Sequence, residues 1–139
     1  MKFVLLGLLA LSCTFAYGDT PEINIPEHDI ALIKSTDYIE VTGTNEHGGA
    51  EDFTIHNDKA IRQFVQFLTS ERYIAVPKSL KPNFKSLANY DVRLSSKGAP
   101  VLELHVIADS VLDIPDDASY YMQSDRHSDN LMAPLLRLR

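Results

Sequence analysis

Residues 57–70 read NDKAIRQFVQFLTS, and the spacing of their apolar side chains decides the fold. Ile61, Phe64, Val65 and Leu68 recur at i, i+3, i+4 and i+7, which lines one face of an α-helix. Lys59, Arg62, Gln63 and Gln66 fall on the other face. Asn57 is suited to cap the first turn through its side-chain oxygen, and Asp58 places a negative charge at the positive end of the helix dipole. The expected helix covers about residues 58–70. Its apolar stripe requires a sheet or a second helix to cover it.

On both sides of this segment the period shortens to two, the signature of half-buried strands. Over 38–42, Ile39 and Val41 alternate with Tyr38, Glu40 and Thr42; Phe53 and Ile55 then alternate with Thr54 and His56. Residues 30–34 are β-leaning and precede the turn-forming Ser35, Thr36 and Asp37, while 43–52 read as a loop hinged at Gly48 and Gly49. Residues 73–76 form a brief strand, and Pro77 and Pro82 bracket an irregular basic stretch. The best-defined hairpin joins 90–95 to 101–107. Val92 and Leu94 face one way there with Leu102, Leu104 and Val106, and Gly98 supplies a turn residue that tolerates positive φ. A turn over 113–117 leads to a strand at 118–123. Ser128 or Asp129 then opens a closing helix carrying Leu131, Leu135 and Leu138, kept short by Pro134. Strands this close in sequence pair most economically antiparallel. The expected fold class is α+β: a single domain over 30–139, mainly antiparallel sheet, with the 58–70 helix on one face and a short C-terminal helix.

The N-terminal segment sets the expected compartment. Lys2 precedes an apolar run over 3–11 interrupted only by Gly7. That run is far shorter than the ~20 residues needed to span a bilayer and has the flanks of a signal peptide. Ala16 and Gly18 occupy the two positions read by a signal peptidase cutting before Asp19, so residues 1–18 form the expected signal; a cut before Tyr17 suits less well. Ala10, Leu11, Ser12 and Cys13 also resemble a bacterial lipoprotein box, with Ala where Leu is usual; in that alternative Cys13 carries a lipid. Residues 19–29, rich in Pro and acids and without a period, read as an extended leader. Beyond Cys13 the chain has no cysteine and no Asn-x-Ser/Thr sequon. Both absences suit a bacterial periplasmic or secreted domain held together by its core rather than by disulfides.

The net charge of −6 disfavours nucleic acid and anionic lipid as partners. Its sign alternates along the chain. Between Asp19 and Asp58, Lys34 is the only base; between Arg72 and Lys97, Asp91 is the only acid; between Asp109 and Asp129, Arg126 is the only base. Such segregation suits a docking face for a protein of complementary charge. The candidate binding residues are Glu46, His47, Glu51 and Asp52 in the acidic stretch, and Arg72, Lys78, Lys81 and Lys85 in the basic one.

No spacing matches a catalytic or cofactor motif. His28, His47, His56, His105 and His127 form no zinc-protease pair. The 43–49 stretch lacks the Gly-Lys-Ser/Thr ending of a phosphate loop, and no cofactor is expected. Asp109, Asp113, Asp116 and Asp117 are weak calcium candidates, because their spacing fits no oxygen-ligand loop. Asp125, His127, Ser128 and Asp129 form the densest polar cluster, and with His105 would serve a small hydrolase. The expected function is therefore a non-catalytic exported binding module, of inhibitor or immunity type, acting on an envelope or secreted enzyme. The alternatives are an envelope domain anchored through Cys13 and a small hydrolase.

Overall fold

Asn57 caps its helix as expected: its Oδ1 accepts the Ala60 N–H at 3.1 Å. The computed structural model describes residues 22–80, 86–114, 120–124 and 130–137. Their elements in chain order are β1 (Glu22–Ile23), α1 (Glu27–Lys34), β2 (Tyr38–Thr44), β3 (Ala50–Ile55), α2 (Asp58–Ser70), β4 (Tyr73–Pro77), β5 (Asn89–Ser96), β6 (Ala99–Ile107), β7 (Val111–Asp113), β8 (Tyr120–Ser124) and α3 (Ala133–Leu136).

The eight strands form one sheet in the order β1-β4-β8-β7-β6-β5-β2-β3, and each neighbouring pair is antiparallel. β3 is one edge, and β4 lies next to the opposite edge. The connection between them is α2, which therefore crosses nearly the whole sheet. That crossing explains why its stripe had to be apolar along its length. Ala60, Ile61, Phe64 and Leu68 are buried in a core with Ile39, Val41, Val92, Leu94, Leu104, Val106, Leu112 and Met122 from the strands. Burial of one such large side chain stabilises the fold by about 1.5–3 kcal/mol. α1 packs against β6 and α2, and α3 against α2. One sheet face is thus covered by helices. On the opposite face the polar members of the alternating strands, Thr42, Asp52, Arg93 and Glu103 among them, are exposed.

The α+β class, the 58–70 helix and the central hairpin agree with expectation. Three local readings need correction. Residues 30–34 are not a strand but the end of α1, and the stretch read as an extended leader already holds β1 and the start of that helix. Ile30 and Ile33 attract a strand assignment by their β-branching, but they stand three apart, and Ile33 is fully buried against the sheet. Pro26 precedes the first turn, Glu27 and Asp29 lie in it, and Lys34 lies in the last, so the charges complement the helix dipole. The Ser35 hydroxyl closes the helix by donating to the Leu32 carbonyl at 2.7 Å. Second, the 43–52 loop shrinks to residues 45–49, because β2 and β3 pair out to Thr44 and Ala50. Third, Asp113 is not in a turn but ends β7, a three-residue strand too short to show a period. The last strand is described over Tyr120–Ser124, one residue beyond the expected end at 123; residues 118 and 119 lie outside the described residues. In the closing segment Leu131 and Leu135 are buried as expected, whereas Leu138 and the expected helix starts at Ser128 and Asp129 lie outside the described residues.

Two side-chain hydrogen bonds tie the sheet to the end of α2 and to the connection that follows it. The Tyr73 hydroxyl donates to the Leu68 carbonyl at 2.7 Å, and burial, followed by nearby Glu71, pushes this phenol's pKa upward. The Ser124 hydroxyl donates to Glu71 Oε1 at 2.7 Å, joining β8 to the start of the α2–β4 connection. No helix among the described residues is long and apolar enough to cross a membrane.

Candidate functional site

The β2–β3 loop is organised by Asn45. Its Oδ1 accepts the N–H groups of His47 and Gly49 at 3.0 and 2.9 Å, and its carbonyl accepts the Gly48 N–H at 2.9 Å. Asn is suited to this because its short side chain mimics a backbone turn. Gly48 takes a φ of +82°, where a side chain would strain the backbone. Asn45 Nδ2 also donates to Glu51 Oε1 at 3.2 Å, fixing a carboxylate at the base of the loop.

Two other chain segments meet this loop. The β6–β7 turn places Ala108 and Asp109 in consecutive left-handed conformations, with φ of +51° and +65°. The Asp109 carbonyl accepts the Leu131 N–H at 2.7 Å, which holds the approach to α3 against the turn. Asn130 Oδ1 accepts the Met132 N–H at 2.8 Å. Between the three segments lies a cavity of about 190 Å³ lined by Asn45, Glu46, His47, Glu51, Tyr90, Asp109, Asn130 and Leu136.

Its electrostatics are lopsided. Three carboxylates line it, and among the described lining residues there is no Lys or Arg. His47 lies 3.3 Å from Glu46, but both side chains are well exposed, so their pairing is screened by solvent. The Asp109 carboxyl is raised above its ordinary pKa, first by burial and then by the negative charge of Glu46. The volume lies below the ~300–1,000 Å³ of typical small-molecule sites. It suits one charged head group rather than a whole ligand.

Of the residues singled out from sequence, Glu46, His47, Glu51 and Asp109 are brought together here. Asp52 is not: it is exposed on β3, and successive strand residues point to opposite faces. Of the basic candidates, Arg72 and Lys78 do not join the acidic loop. Arg72 pairs with Glu22 at 3.0 Å near the β1 edge, and Lys78 pairs with Asp113 at 2.7 Å and lies over the Tyr121 ring, 5.3 Å from its centroid. Asp109 and Asp113 therefore serve different places rather than one calcium loop. His105 and Asp109 are also separated in role, since His105 faces Asp91 across β5 and β6. Cys13, Lys81, Lys85, Asp116, Asp117, Asp125, His127, Ser128 and Asp129 lie outside the described residues.

Sequence reasoning missed Asn45, Tyr90, Asn130 and Leu136. Asn45 carried a legible signal, an Asn shortly before a Gly pair. The others reach the cavity from segments distant in sequence, and no local pattern marks them. No family model matches the chain, and no curated protein or solved structure matches it at a significant level.

Proposed function

We propose that the protein is a non-catalytic binding module whose acidic end cavity receives the cationic side chain, Lys or Arg, of a partner protein. One observation carries this reading: Glu46, Glu51 and Asp109 converge on a cavity sized for a single head group, with no Lys or Arg among its described lining residues. Burial first, and the negative charge of exposed Glu46 second, disfavour the ionised form of Asp109, a cost that a bound cation offsets. The expected signal segment at 1–18 supports a location outside the cytoplasm. The partner of this class is then an envelope or secreted enzyme with a cationic cleft, and the module acts as an inhibitor or immunity-type protein.

The test is an NMR titration of the 15N-labelled protein with Nα-acetyl-lysine amide, with the uncharged norleucine analogue as control. The reading expects saturable shifts of the Gly48, Gly49 and Asp109 amides with the lysine compound alone. It expects those shifts to vanish in a Glu46→Gln, Asp109→Asn variant. Equal shifts from both compounds, or none from either, would overturn it.

A further inference from the structure

The open face of the sheet carries a second constellation, remote in role from the cavity. In the β5–β6 register Asp91 stands directly opposite His105, and Arg93 opposite Glu103. Glu103 and His105 are two residues apart on one strand, so their side chains leave the same face. One donor atom from each of Asp91, Glu103 and His105 lies within 4.8 Å of the others. The strands that hold them are central in the sheet, with β2 paired to one side and β7 to the other, so the backbone positions are set before any ligand arrives.

Asp91 Oδ1 is shielded from solvent and makes no hydrogen bond among the described residues. It nevertheless lies 2.7 Å from His105 Nδ1. The contact is close but lacks the alignment of an N–H···O bond. An imidazole nitrogen and a carboxylate oxygen held 2.7 Å apart, on side chains 36% and 47% exposed, form a donor pair that an arriving cation can reach and bridge. The neighbouring bases are committed elsewhere: Arg93 pairs with Glu40 at 3.4 Å, and Lys78 with Asp113, the residue opposite His105 on its other side. Among the described residues neither Asp91 nor Glu103 has a Lys or Arg partner.

From this juxtaposition we infer that Asp91, Glu103 and His105 form a binding site for a divalent transition-metal ion of the zinc class. One imidazole and two carboxylates are a borderline donor set, which favours Zn²⁺ and its first-row neighbours over Ca²⁺, an ion that takes six to eight oxygens. Bonds of about 2.0–2.2 Å would place tetrahedral donors roughly 3.4 Å apart. Asp91 and His105 are already closer than that. A bound ion would move those two donors slightly apart, and Glu103, which is exposed, is long enough to swing inward as the third. The protein supplies three ligands, and the fourth position faces solvent.

Isothermal titration of the full-length chain with ZnCl₂, repeated with CoCl₂ and read by visible absorption, tests the site. One ion per chain is expected, with a cobalt spectrum that reports nitrogen coordination. His105→Ala and Asp91→Asn should each weaken binding at least tenfold, whereas His47→Ala should leave it unchanged. Glu103→Gln, at an exposed position, gives an independent variant if His105→Ala fails to fold by circular dichroism; it too should weaken binding at least tenfold. Absence of saturable Zn²⁺ binding overturns the inference. So does binding that survives the Asp91, Glu103 or His105 changes, or binding that is lost with His47. The cavity residues take no part, so this outcome is separate from that of the lysine titration.

Discussion

Asn45 Nδ2 donates to Glu51 Oε1 across 3.2 Å, so the residue that builds the β2–β3 loop also orients a carboxylate of the cavity. Loop architecture and site electrostatics are therefore coupled through one side chain. Asn45→Ala removes this bond and the two loop N–H acceptances together. Because these groups are solvent-accessible, the expected loss of stability is only about 1 kcal/mol. The more specific effect is faster amide hydrogen exchange at His47 and Gly49, with unchanged exchange in α2. Uniformly faster exchange would show that Asn45 matters globally rather than to the loop.

Asp109 makes stability fall as pH rises. Its folded-state pKa lies above the unfolded value, with burial as the first cause and Glu46 as the second. The folded state therefore binds a proton more tightly, and the cost of ionising Asp109 appears as pH rises through the carboxylate range. Glu46, Glu51, His47 and Tyr90 are the titratable groups sharing its cavity. Asp109→Asn should raise the urea midpoint at neutral pH, and the gain should disappear in acid below the unfolded carboxylate pKa. A variant less stable than wild type at neutral pH would contradict this sign. It would indicate that the carboxylate is held by favourable bonds instead.

Gly43 and Gly98 separate two costs of adding a methyl group. Both have positive φ, +146° and +79°. A Cβ at Gly43 would fall 2.0 Å from the Asn89 carbonyl oxygen on β5, whereas one at Gly98 would meet nothing within 4 Å. Gly98→Ala should therefore show the backbone penalty alone, about 1 kcal/mol. Gly43→Ala should cost clearly more, since the β2–β5 pairing must open as well. Equal losses in chemical denaturation would mean that the sheet yields easily at this point.

The helix supplies a graded pair. Phe64→Ala empties a fully buried position and should cost about 3–5 kcal/mol. Asn57→Ala removes the capping bond to Ala60 and should cost about 1 kcal/mol. Equilibrium unfolding that ranks them the other way would place the main stabilisation of α2 in its own hydrogen bonds rather than in its burial.

The contrast between α1 and α2 shows how far local pattern reaches. In α2 four apolar positions and a capping Asn state the same answer, and the observed bounds coincide with the expected ones. In α1 two isoleucines suit a strand by propensity and a helix by spacing, and only burial against the sheet decides between them. β7 shows another limit, because three residues cannot display a period.

The sequence by itself determined the α+β class, the long amphipathic helix, the central hairpin and the acidic character of the β2–β3 loop. Each of these depends on residues close together in the chain, where spacing and side-chain chemistry act directly. Tertiary structure alone decided that Glu46 and Glu51 meet Asp109 while Asp113 turns to Lys78, and that Asp91 faces His105 and Glu103. Those meetings follow from strand order and register. Both are set by which arrangement of the whole sheet buries the core, and that is a property of no single segment.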